Sequence, residues 1–162
     1  MKSAFKTFVV SSSMLFLAWV AKMQFIFGGD YLFRIGTIGI VVSFVWMLVH
    51  FRKDQILKSS GMSRMFSINL IVLAILYLGM MLKVSHIMNS QIEKDLVLDF
   101  IGIPAFVGCM IYNFANSSII LGADNYVKSL LCKHIALPWL LFLFSFMLYA
   151  LYSAILAVAN HG

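Results

Sequence analysis

Five stretches of this chain stay apolar for about the thickness of a lipid bilayer, and that restricts its fold more than any other feature. A helix crossing the hydrocarbon needs about 20 mostly apolar residues. The runs that qualify are about Phe8–Phe27, Tyr31–Phe51, Met65–His86, Val97–Leu121 and Ile135–Val158. What is left is ends and short connections, such as Gly28-Gly29-Asp30 and Ile87 to Leu96, with no room for a soluble catalytic domain. Composition agrees. Of 162 residues, 62% are hydrophobic and only 11% charged, where a soluble domain carries about 25% charged residues. There is too little polar surface to cover a globule, and the chain is far too apolar to be disordered. The expected architecture is an all-α polytopic helical bundle, residues 1–162 forming a single transmembrane domain.

The first run follows Lys2 and Lys6 and so resembles a signal peptide. No small-x-small cleavage site follows it, and Lys22 and Gln24 interrupt its far end, so it is expected to be a retained span. Cys109 and Cys132 form no CxxC pair and no disulfide framework, which leaves structural zinc without support.

The formal charge of +6 reads as a topology signal. With a cytoplasmic amino terminus, the inner side holds Lys2, Lys6, Arg52, Lys53, Lys58, Arg64, Lys128 and Lys133 against Asp54 and Asp124. The outer side holds Lys22, Arg34, Lys83 and Lys94 against Asp30, Glu93, Asp95 and Asp99. This matches the positive-inside rule, and the carboxyl terminus is expected on the opposite side. It removes the motive for a nucleic-acid partner and leaves the lipid bilayer as the expected one.

Two hairpins read as a parallel repeat, residues 8–51 and 65–121, followed by a fifth helix at 135–158. Lys22 and Lys83 stand near the outer ends of their helices, and Leu32-Phe33-Arg34-Ile35-Gly36 corresponds to Leu98-Asp99-Phe100-Ile101-Gly102. A helix ending in Lys-x-x-His (Lys83, His86), a turn and an early Ile-Gly resembles the hairpins of small Bacteroidota membrane proteins. These include the membrane subunit of the gliding-motility and type IX secretion motor. The likeness covers about four helices. Phe25 replaces the first hairpin's histidine, no Trp-Pro follows either lysine, and helices two and four lack a glutamate, Asp99 being the nearest substitute. What the resemblance implies is a neighbourhood of motor-type, proton-conducting subunits.

Ionisable groups within spans are costly and mark candidate sites. At the outer ends these are Lys22, Asp30, Arg34, Lys83, His86 and Asp99. Lys22 can snorkel to the headgroups or pair with Asp30 or Asp99. Such a network can fix helix register or, with His86, relay protons, although no acidic chain continues to the inner face. Haem ligation would need histidines at one depth on facing helices. His50 and His134 share one side, His86 and His161 the other, and all four sit at span ends. Asn113 and Asn116 share a face of helix four, level with Ser11, Ser12 and Ser13, and form a candidate packing cluster. Trp19, Trp46 and Trp139 lie nearer span ends than centres, as interfacial anchors do. Helix five, apolar all round, is expected to face lipid or a partner subunit.

No Ser-His-Asp set, HExxH, P-loop or paired carboxylate is visible, so no enzyme activity and no cofactor are expected. The leading reading is a non-catalytic integral inner-membrane protein, a structural or accessory subunit packing against other membrane subunits or itself. The alternatives are an ion- or proton-conducting protein using Lys22, Lys83, His86 and Asp99 and, behind it, a haem-carrying electron-transfer subunit.

Overall fold

An apolar chain in lipid has no water for its amides and must satisfy them within helices. The computed structural model, which describes residues 2–24, 28–53, 62–84 and 100–161, is helical apart from short turns, and no strand occurs among the described residues. The elements are α1 (Lys2–Met23), α2 (Gly29–Lys53), α3 (Met62–Val84), α4 (Ile103–Ala115), α5 (Ser117–Leu121), α6 (Asn125–Leu131) and α7 (Leu137–His161). A π-helical turn, Cys132–Ala136, carries α6 into α7 without interruption. Among the described residues, four helices are long and apolar enough to cross a membrane: Ser3–Met23, Gly29–Lys53, Met62–Val84 and Asn125–Ile155. The protein is an all-α helical bundle.

The fourth and fifth runs depart from expectation. In place of one helix over about Val97–Leu121, the described part is the shorter apolar helix Phe100–Ala115, with α5 set off beyond Asn116. Asn116 leaves helical geometry (φ −101°, ψ 16°), and its Nδ2 donates to the Tyr112 carbonyl at 2.8 Å. A short amide side chain that bonds the local backbone competes with the helix. The last long helix begins ten residues before the expected Ile135, after extended Asp124 (φ −62°, ψ 156°).

Both prolines follow a widened turn. The ring of Pro138 would meet the carbonyl four residues back, that of His134, which lies inside the Cys132–Ala136 π turn. Pro104 is likewise four residues beyond Phe100, in the π turn at residues 100–102. Extra room at those turns accommodates the ring and the missing N–H. No break at either proline is needed.

Packing is most extensive between α1 and α2. Gly36 makes it so: a Cβ there would lie 2.9 Å from the Leu15 backbone nitrogen. A Cβ on Gly39 would run into the Ser11 side chain. A chain of aromatic rings then ties the bundle together. Phe8 meets Phe44 (5.7 Å), Phe44 meets Tyr77 (5.9 Å), Tyr77 meets Phe142 (5.2 Å), and Trp139 meets both Phe142 (6.3 Å) and Phe106 (5.4 Å). These contacts join α1, α2, α3, α7 and α4 in turn.

Two further expectations are corrected. Trp19 (1% exposed) and Trp139 (7%) are core residues and not interfacial anchors, while Trp46 is exposed. Helix α7 does not face lipid all round: Trp139, Phe142 and Ser145 point into the core, and Leu140, Phe144 and Met147 point out.

Ring contacts also set the helix directions. Phe5, Phe51, Phe66 and His134 gather at one end of the bundle. Lys22, Asp30, Val84 and Tyr152 gather at the other. Helices α1, α3 and α7 therefore run one way and α2 the other. Asn113 is level with Asn69, and the chain continues from it to His134, so α4 runs with α2.

Candidate functional site

Polar chemistry in the described bundle concentrates in two places. The first is the end where α1 stops and α2 begins. Gly28, with φ of +96°, occupies the left-handed backbone region that favours glycine. The turn places Asp30 in the first turn of α2 and Lys22 in the last turn of α1. Each charge thus complements the dipole of its own helix. The Lys22 side chain is 6% exposed and pairs with the Asp30 carboxylate. Its Nζ also donates to the Val84 carbonyl at 3.3 Å and lies 5.5 Å from the centre of the Tyr152 ring. A single ammonium thereby touches α1, α2, α3 and α7. Of the partners open to Lys22 in the sequence, the structure shows Asp30.

Arg34 stands one turn after Asp30 and lies 5.8 Å from the ring centre of Tyr31. Lys83 is partly buried in the last turn of α3, beside the carbonyl that Lys22 uses. His86 and Asp99, the other two members expected in this network, lie outside the described residues.

The second place is about one turn in from the Phe66 end of the bundle, around Asn69 of α3. Asn69 and Asn113 exchange amide hydrogen bonds, Nδ2 of each donating to Oδ1 of the other at 2.9 and 3.0 Å. The second N–H of Asn69 reaches the Met65 carbonyl at 2.8 Å. Its Oδ1 also accepts from Trp139 Nε1 at 2.9 Å and from the Cys109 thiol at 3.4 Å. Every donor and acceptor of this buried amide is engaged, so the cluster is a closed lock among α3, α4 and α7.

Of the expected packing cluster, Asn113 bonds across helices to Asn69, and Asn116 does not join it. Asn116 turns back on its own helix, and the serines of α1 do not join Asn113: Ser13 donates to the Val9 carbonyl at 3.0 Å and Ser11 packs on Gly39. Asn69 was missed in the sequence, although a lone amide in an otherwise apolar run was its signal.

The histidines described in detail are not set as a ligand pair. His50 Nδ1 bonds the Trp46 carbonyl at 2.9 Å. The His134 ring lies edge-on to Phe5 and Phe51 at 5.2 and 5.6 Å. Among the described residues no three His, Cys, Asp or Glu side chains come together as metal ligands would.

No protein-family profile matches the chain, and no curated protein or solved structure is significantly similar to it.

Proposed function

We propose that this protein is a non-catalytic structural or accessory subunit of a larger membrane assembly. It would sit in a bacterial inner membrane with the Phe5 end of the bundle in the cytoplasm. The observation carrying this reading is the placement of charge. Every described Lys, Arg, Asp and Glu lies toward one end of the bundle or the other. Between the ends, Phe8, Phe44 and Tyr77 are fully buried, and the amides of Asn69 and Asn113 satisfy each other. Among the described residues, a proton or ion would meet no charged side chain across that middle.

Two further features favour a partner. Helix α4 turns a broad apolar face outward, Phe100, Ile111 and Phe114 being 72%, 64% and 83% exposed. The Lys-x-x-His likeness also points to subunits of multi-protein membrane machines.

Native purification in mild detergent, with sizing and identification of every chain, tests the proposal. A discrete complex holding other polypeptides in fixed ratio is expected. A lone chain that carries protons or cations across liposomes, and stops doing so in Lys22→Gln, would replace the subunit reading with the conducting one.

A further inference from the structure

Four rings mark one end of the bundle at a single level. Phe5 meets His134 at 5.2 Å, His134 meets Phe51 at 5.6 Å, and Phe51 meets Phe66 at 4.5 Å. Each ring has a cation close by in sequence. Lys6 follows Phe5 on α1, Arg52 and Lys53 follow Phe51 on α2, Arg64 stands two positions before Phe66 on α3, and Lys133 precedes His134 in the π turn that enters α7. All five cations are exposed. An aromatic plug thus wears a collar of positive charge drawn from four strands of the bundle.

The described chain does not answer that charge. Among the described residues no ion pair reaches any of the five. Asp124, the one described carboxylate on this side, stands nine positions before Lys133, about 13 Å further out at 1.5 Å per residue. The opposite end is built the other way, with Lys22 buried and paired to Asp30. Packed helix axes are about 8–10 Å apart, close to the Debye length of about 8 Å at physiological salt. The collar therefore repels itself until anions come between its members.

We propose that this collar is a docking surface for phospholipids of net negative charge, their phosphates seated between cations of neighbouring helices. Depth argues for lipid. Phe5 stands 17 positions before Lys22, about 25 Å along α1, against a hydrocarbon core about 30 Å thick. With Lys22 at one margin, the collar falls at the other, among the headgroups. The Phe5–His134 contact brings Lys6 and Lys133 to one seam, and the Phe51–Phe66 contact brings Arg52 and Arg64 to another. Arginine forks suit the oxygens of a phosphate, and lysine supplies a point charge to the same group. A choline headgroup carries its own cation and gains less. A water-soluble acidic polypeptide would have to push headgroups aside to reach this level. The inference holds whether the protein works alone or within an assembly.

The full chain in phosphatidylcholine vesicles, with spin-labelled phosphatidylglycerol or phosphatidylcholine and the motionally restricted fraction read by electron spin resonance, tests this. Each nearby Lys or Arg favours an anionic lipid about 5-fold, so the unmodified chain should hold phosphatidylglycerol at least about 5-fold more strongly than phosphatidylcholine. Raising salt from about 0.15 M to about 1 M shortens the Debye length to about 3 Å and should remove most of that preference. Lys6→Gln with Lys133→Gln empties one of the two seams and should lower it about 2-fold or more. Lys6→Arg with Lys133→Arg keeps the charge and should keep the preference. Lys128→Gln, five positions beyond Lys133 along the chain, should leave it unchanged. Equal retention of the two lipids by the unmodified chain, an undiminished preference in the glutamine pair, or a loss in Lys128→Gln as large as in that pair would each overturn the proposal. Polyglutamate binding to the detergent-solubilised chain, with no preference for phosphatidylglycerol, would give the collar to an acidic polypeptide instead.

Discussion

At the scale of single residues, Asn69 does the most. One amide holds three helices, and without it Asn113 keeps only a 3.7 Å contact to the Cys109 sulfur. In Asn69→Leu, Asn113 and the Trp139 N–H lose their partner together. Interhelical hydrogen bonds in membranes average about 0.6 kcal/mol and reach about 1.7 kcal/mol, so a loss of about 1–2 kcal/mol is expected. Free cysteines report it: Cys132 is exposed and Cys109 is buried within the cluster. Maleimide should label Cys132 alone in the unmodified chain, and Cys109 labelling should rise about 10-fold in Asn69→Leu as α4 loosens. Unchanged Cys109 labelling would mean that apolar packing alone holds α4. Legibility in sequence varied at this scale. Asp30 was readable as a partner of Lys22 because only a short turn separates them. Asn69 was not, because its partner stands 44 positions away and hydropathy does not report facing.

Among elements, the α1–α2 hairpin is the rigid unit of the bundle, because Gly36 lets backbone approach backbone. Leu15 main-chain atoms cannot step aside for a side chain as a flexible side chain would. Gly36→Leu should therefore cost at least the usual 1–3 kcal/mol of overpacking, read as a lower thermal midpoint in detergent. Gly108→Leu is the control, since a Cβ on that glycine of α4 meets nothing within 4 Å, and its midpoint should stay within about 2 °C. The existence of long apolar helices was plain in the sequence, while their faces were not. A helix apolar on every side carries no amphipathic signal to tell core from lipid. For that reason Trp139 and Phe142 were not separable from Leu140 and Met147, and α7 read as facing lipid or a partner subunit all round. The break at Asn116 was hidden for another reason: its cause is a local bond to Tyr112, and the apolar run continues past it.

For the whole molecule, helix direction sets which helix ends share an end of the bundle. Helix α1 begins at the end marked by His134, and α7 runs from there to the end marked by Lys22. Reporter fusions at residue 1 and residue 162 should thus fall in different compartments, the amino-terminal one in the cytoplasm; the same compartment for both would undo the assigned directions. Lys22 adds a constraint in time. Its charge enters the bilayer with α1, which is made before the other helices of this bundle. Its counter-ion follows eight positions later at Asp30, whereas Val84 and Tyr152 emerge only after 62 and 130 more positions. Insertion of α1 and α2 as a pair would neutralise that charge at once, leaving the later helices to dock on a hairpin already paired in the lipid.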